Sequence, residues 1–147
     1  MLPNVKATEQ VAILGAVNPS SQAAGTATTG WISMADFQKL LAVIQVGALG
    51  VSATVDANIQ QAQDGVGTGA KAITGAAITQ ITAGNNQQAE INLDAQQLDV
   101  ANGFSYVNLS VIVGVAATET AALVLGFVPR YAPASANNAA SVSQVVG

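Results

Sequence analysis

Apolar and polar residues alternate one by one along several stretches of this chain, and this period of two limits the possible folds more than any other feature of the sequence. In YVNLSVIVGVA (106–116), Val107, Leu109 and Val111 alternate with Asn108 and Ser110. Successive side chains of a β-strand point to opposite faces of its sheet, so such a stretch buries one face and exposes the other. AEINLDA (89–95) and TVDANIQQ (54–61) repeat the pattern. We therefore predict half-buried antiparallel strands at all three stretches.

Three further stretches are rich in apolar residues but do not show a simple period of two. AALVLGFV (121–128) is apolar in both parities and ends at Pro129, which is typical of a central strand covered on both sides or of one in a subunit contact. KAITGAAITQIT (71–82) alternates again if a bulge lies near Gly75. SMADFQKLLAVIQVGAL (33–49) has helical spacing and a possible capping box from Ser33 to Asp36, but its apolar residues also alternate. We favour a strand over residues 38–49.

Short strands separated by turns indicate an all-β fold, an antiparallel two-sheet sandwich or a barrel. The turns are predicted at residues 17–30, 47–52, 65–69, 84–87, 102–103 and 117–120. The stretches 18–30 and 132–144 are small, polar and without period, which predicts loops or extended arms. The predicted organisation is an N-terminal arm with the first strand over residues 1–30, a β-sandwich domain over 31–131 and a flexible C-terminal tail over 132–147.

The composition is unusually poor in charge. Charged residues make up 8% of the chain and apolar residues 50%, against about 25% charged in an ordinary domain. No window approaches the roughly 18 to 20 uninterrupted apolar residues of a membrane-spanning helix, so we predict no membrane partner. The four basic residues are scattered, which argues against nucleic-acid binding. A neutral exterior without a membrane is expected where other subunits cover it.

The inventory of reactive residues points away from catalysis. The chain has no cysteine or histidine, which excludes thiolate or imidazole metal sites and Ser-His or Cys-His nucleophiles. DGVGTGAK (64–71) resembles a phosphate-binding loop, but Ala70 and Ala72 flank Lys71 where the Walker pattern needs Gly and Ser or Thr. Its three glycines more simply turn the chain between two strands. The spacing of Glu90, Asp94, Asp99 and Glu119 favours no acid-base pair. We predict a protein that is not an enzyme and has no metal or other cofactor.

Three segments carry a family resemblance. TVDANIQQAQDGVGTGAKAITGAAITQIT (54–82), LDVANGFSYVNLSVIVG (98–114) and VLGFVPRYAPAS (124–135) resemble small structural proteins encoded near the major capsid gene of tailed bacteriophages, of the jelly-roll head cement or decoration type. The resemblance consists of strand and turn patterns between residues 30 and 135. It implies a jelly-roll-like sandwich that forms homo-oligomers, dimers or trimers, and binds across major capsid subunits on the exterior of a virion, after synthesis in the host cytoplasm.

If the chain binds capsid subunits as the resemblance implies, the apolar stretch near residue 125 is the candidate contact surface. The candidate contact residues are Leu123, Leu125 and Phe127, or their neighbours Val124 and Val128, and the alternation does not decide which set faces a partner. We predict that Phe127→Asp abolishes assembly and leaves the domain folded. The alternatives are a tail or neck component of the virion and a carbohydrate-binding module, since such modules also use jelly rolls.

Overall fold

A computed structural model describes residues 2–147, which form a two-sheet antiparallel β-sandwich. The elements in chain order are α1 (Ala7–Gln10), β1 (Val11–Gln22), β2 (Gly25–Thr28), β3 (Ile32–Ser33), β4 (Phe37–Val46), β5 (Thr54–Ala62), β6 (Lys71–Ala77), β7 (Gln87–Asp94), β8 (Tyr106–Gly114) and β9 (Thr118–Pro129), with short 3-10 turns at Ala95–Gln97, Val100–Asn102 and Ala134–Asn137. Among the helices within residues 2–147, none has the length and apolar character needed to cross a membrane.

The order of strands defines a jelly roll. One sheet has the order β1-β9-β4-β7, and we call it the first sheet. The second sheet has the order β2-β8-β5-β6, and β3 also pairs with β8. If β2 and β3 are counted as one interrupted strand, each sheet has four strands and every pairing is antiparallel, which is the two-sheet arrangement of jelly rolls. The predicted fold class is confirmed.

The core lies between the inner faces of the two sheets, and the period of two decides which residues enter it. In β4 the side chains of Leu40, Ala42 and Ile44 are buried, and in β8 those of Leu109 and Val111 are buried. The strands predicted at 54–61, 89–95 and 106–116 correspond to β5, β7 and β8. The favoured strand over residues 38–49 is confirmed as a strand rather than a helix, but β4 ends at Val46 and residues 47–49 belong to the loop that follows.

The predicted bulge at Gly75 is present in β6. Asn58 of β5 lies opposite Ala77, whereas Gln60 lies opposite Ala72, so extra residues of β6 occur between these two pairs. Gly75 has φ +82 and provides the left-handed conformation that this bulge requires. As a result, Ile73 of β6 remains buried although the simple alternation is interrupted.

Two predicted turns are replaced by strands. Residues 17–30 were expected to form a turn or arm, but β1 continues to Gln22 against β9, and β2 pairs with β8. Most side chains of residues 18–30 are exposed at a sheet edge, so the small polar sequence carries no apolar alternation. The turn expected at 117–120 lies instead at 115–117, because Thr118 and Thr120 are buried at the start of β9.

The C-terminal segment packs against β1. The composition predicts a flexible tail over 132–147, whereas in the structure Ala134 is completely buried with Ala12 and Phe37 in a small second core. The backbone N–H of Ile13 donates to Asn138 Oδ1 (2.9 Å), and the N–H of Ala139 donates to the Ile13 carbonyl oxygen (2.7 Å). Residues 134–139 therefore cover part of the open edge of β1.

Candidate functional site

The outer face of the first sheet presents an ordered array of apolar side chains. Residues paired directly across antiparallel strands point to the same face, so each row across the sheet can be followed from β1 through β9 and β4 to β7. Three successive rows are Val11, Phe127, Lys39, Asp94; Ile13, Leu125, Leu41, Asn92; and Ala16, Leu123, Val43, Glu90. We define the apolar face as the eight apolar residues of these rows, Val11, Ile13, Ala16, Leu41, Val43, Leu123, Leu125 and Phe127.

The apolar face is open to solvent rather than part of the core. Leu123 is 43% exposed, and the other seven side chains are half-buried. Two shallow grooves lie on this face. One, of about 560 Å³, lies between Ile13, Leu123 and the C-terminal residues 141–144. The other, of about 480 Å³, lies beside Leu41 and Phe127. The apolar face is therefore shallowly concave at two places, and both grooves have apolar and polar walls.

A polar border limits the face on the side of β7. The outward residues of that strand include Glu90, Asn92 and Asp94. Lys39 Nζ donates a hydrogen bond to Asp94 Oδ2, and this bond is the main reason that the pKa of Asp94 lies below its ordinary value. The lysine in the first row thus has a neighbouring counter-charge within the sheet. The resulting pattern, an apolar centre beside a polar rim, is that of protein contact surfaces.

The structure separates the candidate contact residues into two sets. Leu123, Leu125 and Phe127 lie on the apolar face. Val124 is only 1% exposed and belongs to the core, so its side chain cannot take part in an outer contact. Val128 is half exposed, beyond the last row, and has φ +53. The alternation of β9 alone allowed either set of residues to face outward. The structure shows that the set with Leu123, Leu125 and Phe127 does so.

Sequence reasoning missed the contributions of β1 and β4 to this face. Leu41 and Val43 alternate with the core residues Leu40, Ala42 and Ile44, so β4 is apolar in both parities. The same double apolar pattern that marks β9 is therefore present in β4, and it is the sequence signal that indicates a second strand covered on both sides.

The stretch from Asp64 to Lys71 forms the loop between β5 and β6. Asp64 Oδ1 accepts hydrogen bonds from the N–H groups of Val66 and Thr68, both at 3.0 Å. Gly67 has φ +89, and a Cβ added there would lie 2.7 Å from Trp31 Nε1. Lys71 Nζ lies 2.5 Å from Asp99 Oδ2 and 4.1 Å from the centre of the Phe104 ring. The glycines thus turn the chain and admit Trp31, and a strand rather than a helix follows them.

The acidic residues considered for catalysis lie in separate surroundings. Asp94 contacts Lys39, Asp99 contacts Lys71, and Glu119 Oε2 accepts the N–H of Ala48 at 3.2 Å. The hydrogen bond from Lys71 is the largest cause that lowers the pKa of Asp99. Within residues 2–147, no group of three or more Asp, Glu, His or Cys side chains is close enough to hold a metal ion.

Comparison with known proteins identifies no family. No protein-family model matches this chain, and no curated protein sequence matches it. Among solved structures, the chain is similar to one from the empty virus-like particle of Cowpea Mosaic Virus, with 9% identity, a TM-score of 0.49 and coverage of 90% of this chain and 86% of that one.

Two further solved structures have similar scores. The match to Triatoma Virus has 8% identity and a TM-score of 0.46 over 87% of this chain and 68% of that one. The match to Desmodium yellow mottle tymovirus has 10% identity and a TM-score of 0.42 over 89% of this chain and 94% of that one. Identities and scores at this level carry no argument about function, and the jelly-roll assignment rests on the strand order of the chain itself.

Proposed function

We propose that this protein is a structural component of a virion, a capsid cement or decoration protein that binds across neighbouring major capsid subunits through its apolar face. Its place is the exterior of the capsid, and it is made in the host cytoplasm. The observation that carries the proposal is the set of eight apolar side chains that the first sheet turns outward.

The size of the apolar face suits a protein contact. The face is three strands wide and three rows long, which at about 4.8 Å per strand and 6.7 Å per row is roughly 300 Å² of flat area. A standard contact buries about 800 Å² on each partner. The apolar face would then form the centre of the contact, and the polar residues of β7 and β4 would form its rim.

The energetics favour a contact of this kind. Burial of apolar surface stabilises association by about 25 cal/mol per Å², and the side chains of the apolar face bring no charge that must lose its water. The fold is compatible with the proposal, since jelly rolls occur in capsid proteins and in lectins, but a fold does not determine a function. The resemblance to phage cement proteins adds support from the sequence.

The test measures the mass of the purified protein by light scattering, with and without expanded capsid shells from the same source. The protein should saturate the shells at a fixed stoichiometry and raise their melting temperature. Leu125→Asp, which places a charge at the centre of the apolar face, should remain folded and lose shell binding at least tenfold. Thr28→Asp adds the same charge on the outer side of β2 and serves as the matched control.

Three results would overturn the proposal. The first is a protein that ignores the shells, and the second is a Leu125→Asp variant that binds them as well as the wild type does. The third is binding to tail or neck complexes, or to glycans in an array with calcium, without binding to shells. Binding to tail or neck complexes would identify a tail or neck component, and binding to glycans would identify a carbohydrate-binding module.

A further inference from the structure

Each sheet of the sandwich has two edges, and three of the four edges are interrupted or covered. β1 contains Pro19 and two register shifts, and residues 134–139 cover part of its edge. β2 has only four residues and ends before β3 begins. β6 contains the bulge at Gly75. Short strands, proline, bulges and covering segments all prevent an edge strand from pairing with another chain.

The edge of β7 has none of these features. Its eight residues pair with β4 in one unbroken register, from Gln87 opposite Val46 to Asp94 opposite Lys39, and they include no proline or glycine. β7 is the last strand of the first sheet, and within residues 2–147 the backbone of residues 88–93 has no hydrogen-bond partner outside β4. One row of its N–H and C=O groups is therefore available to a further strand.

The side chains of β7 favour one particular antiparallel pairing of this strand with a copy of itself. The four outward residues of the strand are Gln88, Glu90, Asn92 and Asp94. Residues directly opposite each other share a face, so these four can lie opposite only one another. A twofold axis at Glu90 or at Asn92 sets two acidic residues opposite each other, which is destabilising.

A twofold axis at Ile91 avoids this repulsion. It sets Glu90 opposite Asn92 of the second copy and Gln88 opposite Asp94, and it pairs residues 88–94. An axis at Ala89 also separates the acidic residues, but it pairs only residues 87–91 of the strand. The longest pairing of β7 with its own copy is therefore also one that sets no like charges opposite each other.

We propose that two copies of this protein pair their β7 strands about a twofold axis at Ile91 and form a symmetric dimer. The same surface is used by both copies, so the assembly closes at two. On the inner side, Ile91 lies opposite Ile91 of the second copy and Ala89 lies opposite Leu93, so apolar residues meet apolar residues there. The two first sheets become one continuous antiparallel sheet, and both apolar faces point to the same side of the dimer.

The dimer gives the apolar face a way to act twice. Two apolar faces on one side allow a single dimer to hold two sites on a shell, and attachment of the second face is then intramolecular, which raises the overall affinity. This consequence rests on the proposed function, whereas the dimer contact does not. A single strand edge is smaller than the roughly 800 Å² that each partner buries in a standard contact, so the free dimer should dissociate on dilution.

Sedimentation without shells measures the dissociation constant of the dimer in two variants of opposite charge. Asn92→Lys sets a lysine opposite Glu90 in both symmetric pairs and should lower the dissociation constant about fivefold, whereas Asn92→Glu should raise it at least about fivefold. Thr28→Lys and Thr28→Glu make the same changes at an exposed residue of β2 and should leave the constant unchanged. Circular dichroism establishes that all four variants are folded.

Hydrogen exchange of the wild type locates the contact without any substitution. Backbone N–H groups within residues 88–93 should exchange more slowly at concentrations where the dimer forms, and those of β6 should not change. Three results would overturn the β7 dimer. They are a wild type that is monomeric at every concentration, a dimer that protects another edge instead of β7, and equal effects of Asn92→Lys and Asn92→Glu.

Shell binding separates the β7 contact from the contact of the apolar face. Leu125→Asp should still form the dimer, because its β7 edge is intact, but should lose shell binding. Asn92→Glu should bind shells at least about tenfold more weakly than the wild type, because it attaches by one face only. Equal shell affinities of this monomer and of the wild type would overturn attachment by two faces. A wild-type dimer that ignores shells would overturn the proposed function and leave the β7 dimer in place.

Discussion

At the scale of single residues, Val115 is a position where local conformation and residue type disagree. It lies in the turn between β8 and β9 with φ +70, where an L-residue costs roughly 1–2 kcal/mol. Its side chain is largely exposed, so core packing does not offset this cost. Val115→Asn should therefore raise the free energy of unfolding by about 1 kcal/mol, because Asn tolerates this conformation. Urea unfolding measures the change.

Val51→Asn is the matched control for this prediction. Val51 is also an exposed valine, in the loop between β4 and β5 at the same end of the sandwich, but its φ is not positive. Its replacement should change the free energy of unfolding by less than about 0.5 kcal/mol. Equal stabilisation by both substitutions would show that the loss of exposed apolar surface, rather than the release of backbone strain, is responsible.

At the scale of elements, the edge of β1 depends on the C-terminal segment. Asn138→Ala removes the oxygen that accepts the N–H of Ile13. A partly buried N–H without its partner should lower the free energy of unfolding by about 1 kcal/mol. Hydrogen exchange at Ile13 should become faster, because the edge opens more often. Asn137→Ala, at an exposed neighbouring position, is the control. Unchanged exchange at Ile13 in the Asn138 variant would contradict the packed arrangement of this segment.

The loop between β5 and β6 should respond to acid. The hydroxyl of Thr68 donates to Asp64 Oδ2 at 2.5 Å, and this bond is the main cause that holds the pKa of Asp64 below its ordinary value of 3.8. A depressed folded-state pKa contributes stability above the unfolded value, and this stability is lost as the pH falls through the folded value. Stability should therefore decline below about pH 4.

Asp64→Asn isolates the contribution of this carboxylate. The variant should lose less stability on acidification than the wild type, because the charge that titrates is absent. Urea midpoints measured at neutral pH and at several values below pH 3.8 give the comparison. Parallel pH profiles of the two proteins would show that the other acidic residues account for the acid sensitivity.

At the scale of the whole molecule, we expect the inner and outer sides of β9 to serve folding and assembly separately. Phe127→Asp places a charge on the outer face beside Lys39, so the domain should remain folded and lose assembly. Val124→Asp places a charge in the core without a counter-charge, and this substitution should unfold the protein. Circular dichroism and light scattering on both variants separate the two effects. A Phe127→Asp variant that unfolds would place residue 127 in the core.

The sequence alone determined the strands β4 to β9, the bulge at Gly75 and the role of the glycines near residue 67, because each of these depends on neighbouring residues and on backbone sterics. It also predicted that the strand around Leu125 is covered on both sides or lies in a subunit contact, since both of its faces are apolar. It could not decide whether Val124 or Leu125 faces outward, nor that residues 18–28 form strands at a sheet edge.

Those choices belong to the tertiary structure. The rows of the apolar face join β1, β9 and β4, whose residues are far apart in the chain, and only the pairing of these strands places Ile13 and Leu41 beside Leu125. A strand whose odd and even residues are both apolar can direct either face to the core. Its register is fixed by the partners that close the core, and the other side remains as the surface available for association.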